Sequence, residues 1–474
     1  MMLTLADAIE AMTDKRPAAE AIITEAAIDS RHVIPGSLFV AIPGERVDGH
    51  TYLEEAFKRG AAFALVQQDV GAQWKTVDLR PGSPPPSPDE LVQPLCLRVE
   101  DSIAALQQIA RFWRRKLNVR VIGITGSVGK STTKEVVAQV LAQRFRTLRS
   151  PGNLNNEIGL PLTILRLSPG HERAVLEMGF YVPGEIAFLC EIALPQIGVV
   201  TNIGTVHAER AGSQEAIARG KSELITSLPP APEGAAILNF DDPLVRQMES
   251  LTKARVMFYG LSPEAEVWAD EIEGLGLEGV RFRLHHENET MHVRIPMVGR
   301  HSVETALRAA AVGFVEGLSW QEILAGLRHG NTQLRLVAVR SQTGALLLDD
   351  TYNASPESML AALNLLGEVG GKRKVAVLGD MLELGQYEAR AHNMVGMRAA
   401  QIADTLITLG ARGHMYAQAA RRAGMQPGRV FEFEERSQVV SWLGENLTET
   451  DVVLIKGSHG LRMDLIVGAL EQGS

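Results

Sequence analysis

The chain has 474 residues, 45% of them hydrophobic and 22% charged, with a formal net charge of -9. That length exceeds one ordinary core and implies two or three domains, and the acidic balance excludes a global field for nucleic acid or anionic lipid. No run of about 18 apolar residues occurs and the start is acidic rather than basic, so neither a membrane span nor a signal peptide is expected and the protein reads as a cytoplasmic, monomeric enzyme.

In chain order, "MMLTLADAIEAMTDK" predicts an opening helix. "GSLFVAIPG" and "AAFALVQQ" predict strands, separated by a helix in "TYLEEAFKRG" that stops on glycine. The proline- and serine-rich "RPGSPPPSPDE", residues 80–90, sustains neither helix nor sheet and predicts an exposed loop before the strand "PLCLRVED". Residues 1–101 therefore read as a small α/β module. In "RFWRRKL", Arg111, Arg114, Arg115 and Lys116 crowd the end of a helix, where the dipole favours cations, and Phe112 and Trp113 are expected to pack inward. Cys96 and Cys190 fit no metal spacing and are expected to be small buried hydrophobes in a reducing compartment.

From residue 102 the texture becomes strand, glycine turn, helix. "VRVIGITG", "ERAVLEMG", "QIGVVTNIG" and "GAAILNFDD" are apolar runs of the kind buried in parallel sheets, followed over residues 264–298 by the alternation of an antiparallel meander and then by the helix "HSVETALRAAAVGFVEG". A third block, residues 331–474, repeats the α/β alternation in "ALLLDD", "KVAVLGD", "DTLITLG" and "DVVLIKGS". The fold class is α/β, with a central mostly parallel sheet over residues 102–330 and a second doubly wound sheet behind it.

Chemistry concentrates in "GSVGKST". The spacing G-x-x-x-x-G-K-[ST] would need glycine at Ile124, one residue after Gly123, yet the half that touches phosphate is intact. Gly126, Ser127, Val128 and Gly129 can turn backbone N–H groups onto oxygens, Lys130 can neutralise phosphates, and Ser131 and Thr132 open the following helix. Ser131 is a candidate Mg²⁺ ligand, and Glu177 ends a buried strand at the edge where open α/β sheets bind ligands. His207 also follows a strand end.

Several segments together, "GITGSVGKSTTKE", "GNLNNEIGLPLTIL", "TNIGTVHAERAGS", "ARGKSELI", "LLLDDTYNASPESMLAAL", "VAVLGDMLELG" and "VLIKGSHG", resemble the Mur ligases over nearly the whole chain. The resemblance implies three domains: an N-terminal domain for a UDP-sugar peptide, a P-loop-type ATPase and a C-terminal Rossmann-like domain. It also implies two Mg²⁺ ions on Ser131, Glu177, His207 and a carbamylated Lys221. In that reading, ATP phosphorylates a carboxylate and an amine attacks the acyl phosphate, with Lys130, Glu177, His207 and Lys221 as catalytic residues. The branch most resembled takes UDP-MurNAc-tripeptide and D-Ala-D-Ala. Arg335 and Asp350 are then expected at ATP, Ser30, Arg31, Asp48 and His50 at the UDP end, and Asn155 and Asn156 at the sugar or peptide. Tyr352, Asn353, Ser355 and Lys456 are expected at the nucleotide or dipeptide; each polar residue could instead satisfy a turn. The chain departs from the family pattern at Phe180, Tyr181 and Val182, at Ser302 and Thr305 where asparagines are usual, and at His459 where arginine is frequent. Another amide ligase of the superfamily, such as folylpolyglutamate synthase, and an ATP-binding module without turnover both remain open on these residues.

Overall fold

The computed structural model describes residues 2–44, 47–205, 208–329 and 337–471. Among these, three sheets follow one another along the chain. The first is wholly parallel, β1 (Ala26–Ala27), β2 (Leu38–Val40), β3 (Phe63–Val66), β4 (Thr76–Asp78) and β5 (Leu95–Arg98), in the order β1-β2-β3-β5-β4. Residues of β2 and β3 are buried on both faces, which is why they read as unbroken apolar runs.

The central sheet contains β6 (Arg120–Thr125), β7 (Thr147–Arg149), β8 (Arg173–Glu177), β9 (Ile197–Val200), β10 (Ala235–Asn239), β11 (Arg255–Gly260), β12 (Val267–Gly274), β13 (Val280–His286) and β14 (Glu289–Ile295). Its order is β14-β13-β12-β11-β10-β9-β6-β8-β7, parallel from β12 through β7 and antiparallel in the predicted meander. The third sheet has β15 (Val337–Arg340), β16 (Leu346–Asp350), β17 (Arg373–Gly379), β18 (Thr405–Leu409), β19 (Val430–Phe433) and β20 (Asp451–Lys456), ordered β15-β16-β20-β17-β18-β19 with only the β15 pairing antiparallel.

Separate apolar clusters fill the two faces of the third sheet. The first two sheets are less independent. One cluster runs from Leu5 and Ile9 through Leu106, Ile109 and Trp113 to Leu160, Leu189 and Leu224, so the helix Ser102–Lys116 serves both. The expected boundary after residue 101 falls at this helix's N-cap, Asp101, whose carboxylate accepts from the N–H groups of Ile103 and Ala104. At the other end Trp113 is buried as expected. Arg114 is buried too, and its guanidinium donates to the carbonyls of Ala193 (2.7 Å), Leu117 (3.1 Å) and Val119 (2.9 Å), with burial pushing its pKa down to about 10. The cation thus satisfies carbonyls at a helix end from inside the protein. Cys96 and Cys190 are both buried and unpaired. No helix among the described residues is long and apolar enough to cross a membrane.

Candidate active site

The phosphate-type loop follows β6 and starts the helix Lys130–Leu141. Gly126 has φ 145°, and a Cβ there would overlap the Thr201 hydroxyl, so the chain needs glycine at the position the sequence supplies. Gly129, at φ 85°, is the helix N-cap. The residues after β9 brace the loop from below. Ser127 N and Val128 N donate to the backbone and side-chain oxygens of Asn202 (3.0 Å each), Thr201 Oγ1 donates to the Val128 carbonyl (2.7 Å), and Gly204 N donates to Ser127 Oγ (2.8 Å).

Lys130 folds back over this turn, its Nζ donating to the Gly126 carbonyl at 2.8 Å. Ser131 Oγ donates to Glu177 Oε2 at 2.7 Å, and Asn155 Nδ2 donates to Glu177 Oε1 at 2.9 Å. Glu177 is buried at the end of β8, next to the strand that feeds the loop. Hydroxyl, carboxylate and amide oxygens are hard donors that suit Mg²⁺, which binds through one or two carboxylates and completes its shell with phosphate oxygens and water. Among the described residues no group of three His, Cys, Asp or Glu could hold a metal ion by itself.

Lys221, on the helix Gln214–Thr226, is 1% exposed and lies behind this constellation, its Nζ 4.9 Å from the centre of the Phe180 ring. Burial first, and the charge of Lys130 second, push its pKa well below the ordinary lysine value and favour the uncharged amine. The departure at Phe180 therefore has a structural consequence: an apolar ring covers the lysine. Tyr181, the next departure, lines the cleft and carries the Arg210 guanidinium over its ring at 4.8 Å.

The opposite wall comes from the third sheet. Asp350 and Lys456 are register partners at the ends of β16 and β20, and Lys456 Nζ reaches Asp350 Oδ2 and the Asn353 carbonyl at 2.8 Å each. Ser355 caps the helix Pro356–Glu368 through the Ser358 N–H. Tyr352 is exposed, and its ring stands 6.2 Å from that of His459. Between the walls lies a cleft of about 320 Å³, lined by Ser127 to Ser131, Thr132, Asn155 and Glu177 on one side and by Asp350, Tyr352, Asn353, Ser355 and Lys456 on the other. Asn153, His301, Ser302 and Thr305 also line it.

Other expected site residues are elsewhere. Asn156 Oδ1 accepts from Gly159 N (2.8 Å), at the start of the helix Gly159–Leu165. Ser30 is buried in a short turn of the first domain, where Arg31 is exposed and paired to Asp29 at 2.6 Å. His50 receives the Gln67 N–H on Nε2 (2.9 Å) and meets Asp48 Oδ1 through Nδ1 at 2.6 Å, in the first domain. His207 and Arg335 lie outside the described residues.

Family profiles agree with this geometry: "Mur ligase family, catalytic domain" matches residues 22–114, "Mur ligase middle domain" 124–313 and "Mur ligase, glutamate ligase domain" 334–459. The UDP-N-acetylmuramoyl-tripeptide--D-alanyl-D-alanine ligase of Bacillus subtilis is 34% identical, covering 94% of this chain and 93% of its own length. The chain belongs to the Mur ligase family. The Escherichia coli ligase of the same name is 33% identical over 99% of this chain and 98% of its own. Among solved structures, MurF from Acinetobacter baumannii superposes with a TM-score of 0.82 at 29% identity, covering 98% of each chain. MurF from Thermotoga maritima, solved with ADP, gives 0.76 at 26% identity over 94% of this chain and 96% of that one. A Mycobacterium tuberculosis folylpolyglutamate synthase shares the fold at 17% identity.

Against the family pattern, the residues that sequence reading missed are Asn202, which braces the loop, and Arg308, buried behind it. Asn202 was visible as the polar residue after a buried strand in "VVTNIG". Arg308 falls three residues after Thr305 on the same helix, a spacing that places it one turn beyond a residue that lines the cleft.

Proposed function

We propose that the cleft is the ATP site of an amide ligase that joins D-alanyl-D-alanine to UDP-N-acetylmuramoyl-tripeptide in peptidoglycan precursor synthesis. The observation that carries the reading is the set Lys130, Ser131, Glu177 and Asn155 on one wall facing Asp350 and Lys456 on the other, in a chain similar to such ligases from end to end. A carboxylate oxygen of the tripeptide attacks the γ-phosphorus of ATP and ADP leaves. The dipeptide's neutral amine then attacks the acyl carbon, losing a proton as phosphate departs. Two anions must meet in the first step, and Lys130, the loop N–H groups and the helix N-terminus offset their repulsion. Mg²⁺ held by Ser131 and Glu177, with His207 and a carbamylated Lys221 at a second ion, would neutralise developing phosphate charge. A covered, desolvated Lys221 supports the carbamate reading, because an uncharged amine is the form that adds carbon dioxide. The enzyme is taken to act as a cytoplasmic monomer, with the first domain, around Ser30, Arg31, Asp48 and His50, holding the UDP end.

ADP release measured with both proposed substrates, with folate plus glutamate, and with ATP alone tests the assignment. Release that needs the tripeptide and D-Ala-D-Ala together is expected. Release with ATP alone, or only with folate and glutamate, would overturn it.

A further inference from the structure

The N-terminus of the helix Lys130–Leu141 already carries its own partial positive charge and Lys130. A third positive group lies beneath it. Arg308, mid-way along the helix Ser302–Val315, is 3% exposed among the buried residues Ala306, Leu307, Ala309 and Ala310. Its Nη1 donates to Thr133 Oγ1 at 2.6 Å and stands 3.1 Å from the place a Cβ on Gly129 would occupy. Nη2 is 3.2 Å from Glu304, whose side chain is one-third exposed, and Nε is buried with no hydrogen-bond partner. The guanidinium carbon lies 5.4 Å from the centre of the Tyr259 ring, and the Tyr259 hydroxyl donates to the Thr201 carbonyl, in the segment that braces the loop.

In the free protein this arrangement is unfavourable on three counts. A cation sits at the wrong end of a helix dipole, a second cation is near it, and part of its hydrogen-bonding capacity is unused in a desolvated setting. The first two penalties are relieved by a polyanion on the far side of the loop, where the low dielectric carries the field of a buried charge further than water would.

We infer that Arg308 is a positioning residue of the nucleotide site, a buried charge behind the phosphate loop that selects for polyphosphate through its charge rather than through its hydrogen bond to Thr133. The inference rests on the reading of the cleft as an ATP site. It does not require the arginine to touch the nucleotide.

Calorimetric titration with ADP, AMP and adenosine, on wild type and on Arg308→Met, Arg308→Lys and Thr133→Val, tests it. Arg308→Met is expected to weaken ADP about tenfold, AMP less, and adenosine less than about twofold, a gradient that follows phosphate charge. Arg308→Lys should recover part of the loss because it restores the charge. Thr133→Val, which keeps the charge and removes its hydrogen bond, should lose less than about threefold. Equal weakening of ADP and adenosine by Arg308→Met, unchanged ADP affinity, or a loss in Thr133→Val as large as in Arg308→Met would overturn the inference. Wild type that binds neither ADP nor ATP would instead sink the reading of the cleft, so the two failures are distinguishable.

Discussion

Both α/β halves bring a buried lysine to the cleft region, and they hold it in opposite ways. Lys456, 2% exposed at the end of β20, is clamped between the Asp350 carboxylate and the Asn353 carbonyl. Lys221, 1% exposed, has the Phe180 ring on one side and feels the charge of Lys130, and no carboxylate among the described residues pairs with it. Gly220 makes the ring's position possible, since a Cβ there would overlap the Phe180 edge. Burial is equal, so the partner decides the setting: a carboxylate and a carbonyl hold one lysine, while a ring and a like charge leave the other a desolvated amine.

Removing Lys130 is the largest disturbance of this arrangement. Lys130→Ala is expected to lower turnover by at least about 10²–10³-fold, because a donor aimed at developing phosphate charge is gone. Its unfolding midpoint should stay within about 2 °C of wild type, since Lys130 is a half-buried side chain on the cleft wall whose Nζ donates to the Gly126 backbone carbonyl. A steady-state assay alongside a thermal melt reads both, and wild-type-like turnover would defeat the role.

The two buried lysines predict opposite stability effects for one chemical change. Lys456→Met leaves Asp350 without its partner and should cost about 3 kcal/mol, as breaking a buried pair does. Lys221→Met removes a desolvated amine that burial disfavours in its charged form, and should leave stability unchanged or raised. Urea unfolding of both variants checks this, and equal destabilisation would erase the contrast. The Lys221 effect also has a pH signature. Its folded pKa lies below its unfolded value, so between the two the unfolded chain binds more protons and wild-type stability rises with pH. The advantage of Lys221→Met is therefore greatest at low pH and fades as pH climbs toward about 10.4, the ordinary lysine value. A constant offset across that window would mean Lys221 is not strained toward neutrality.

How far the sequence foretold these elements varied with how local their cause was. The buried parallel strands β6, β8, β9 and β10 were legible because burial on both faces leaves unbroken apolar runs. β1, β7 and β15 passed unnoticed: they are short or edge strands, partly exposed, whose existence depends on a neighbour rather than on their own composition. In the site, Ser131 and Glu177 were legible because loop and strand end each carry a local signature. Lys221 had none. Its chemistry comes from Phe180, 41 residues earlier, lying across Gly220, and only packing brings them together. The same holds for Arg114, a cation expected at a helix end for the dipole, whose burial and donation to the Ala193 carbonyl depend on packing from a distant segment.

The smallest expected effect carries the comparison to another residue type. Burial drives every ionisable group toward its neutral form, so it should push thiols up as it pushes Lys221 down. Burial raises the Cys96 and Cys190 thiols to about 12 each, and Cys190 packs against the Met178 sulfur at 3.8 Å, one residue beyond Glu177. At pH 8 only about one thiol in 10⁴ would then be the reactive thiolate, against roughly a quarter for a free cysteine of pKa about 8.5. Iodoacetamide labelling of the native protein at that pH, followed by intact-mass measurement, should therefore show both cysteines unmodified under conditions that alkylate them fully in urea. Rapid native labelling of Cys190 would mean that solvent reaches the back of β8, and the desolvation invoked for Lys221 on the adjoining helix would lose its basis.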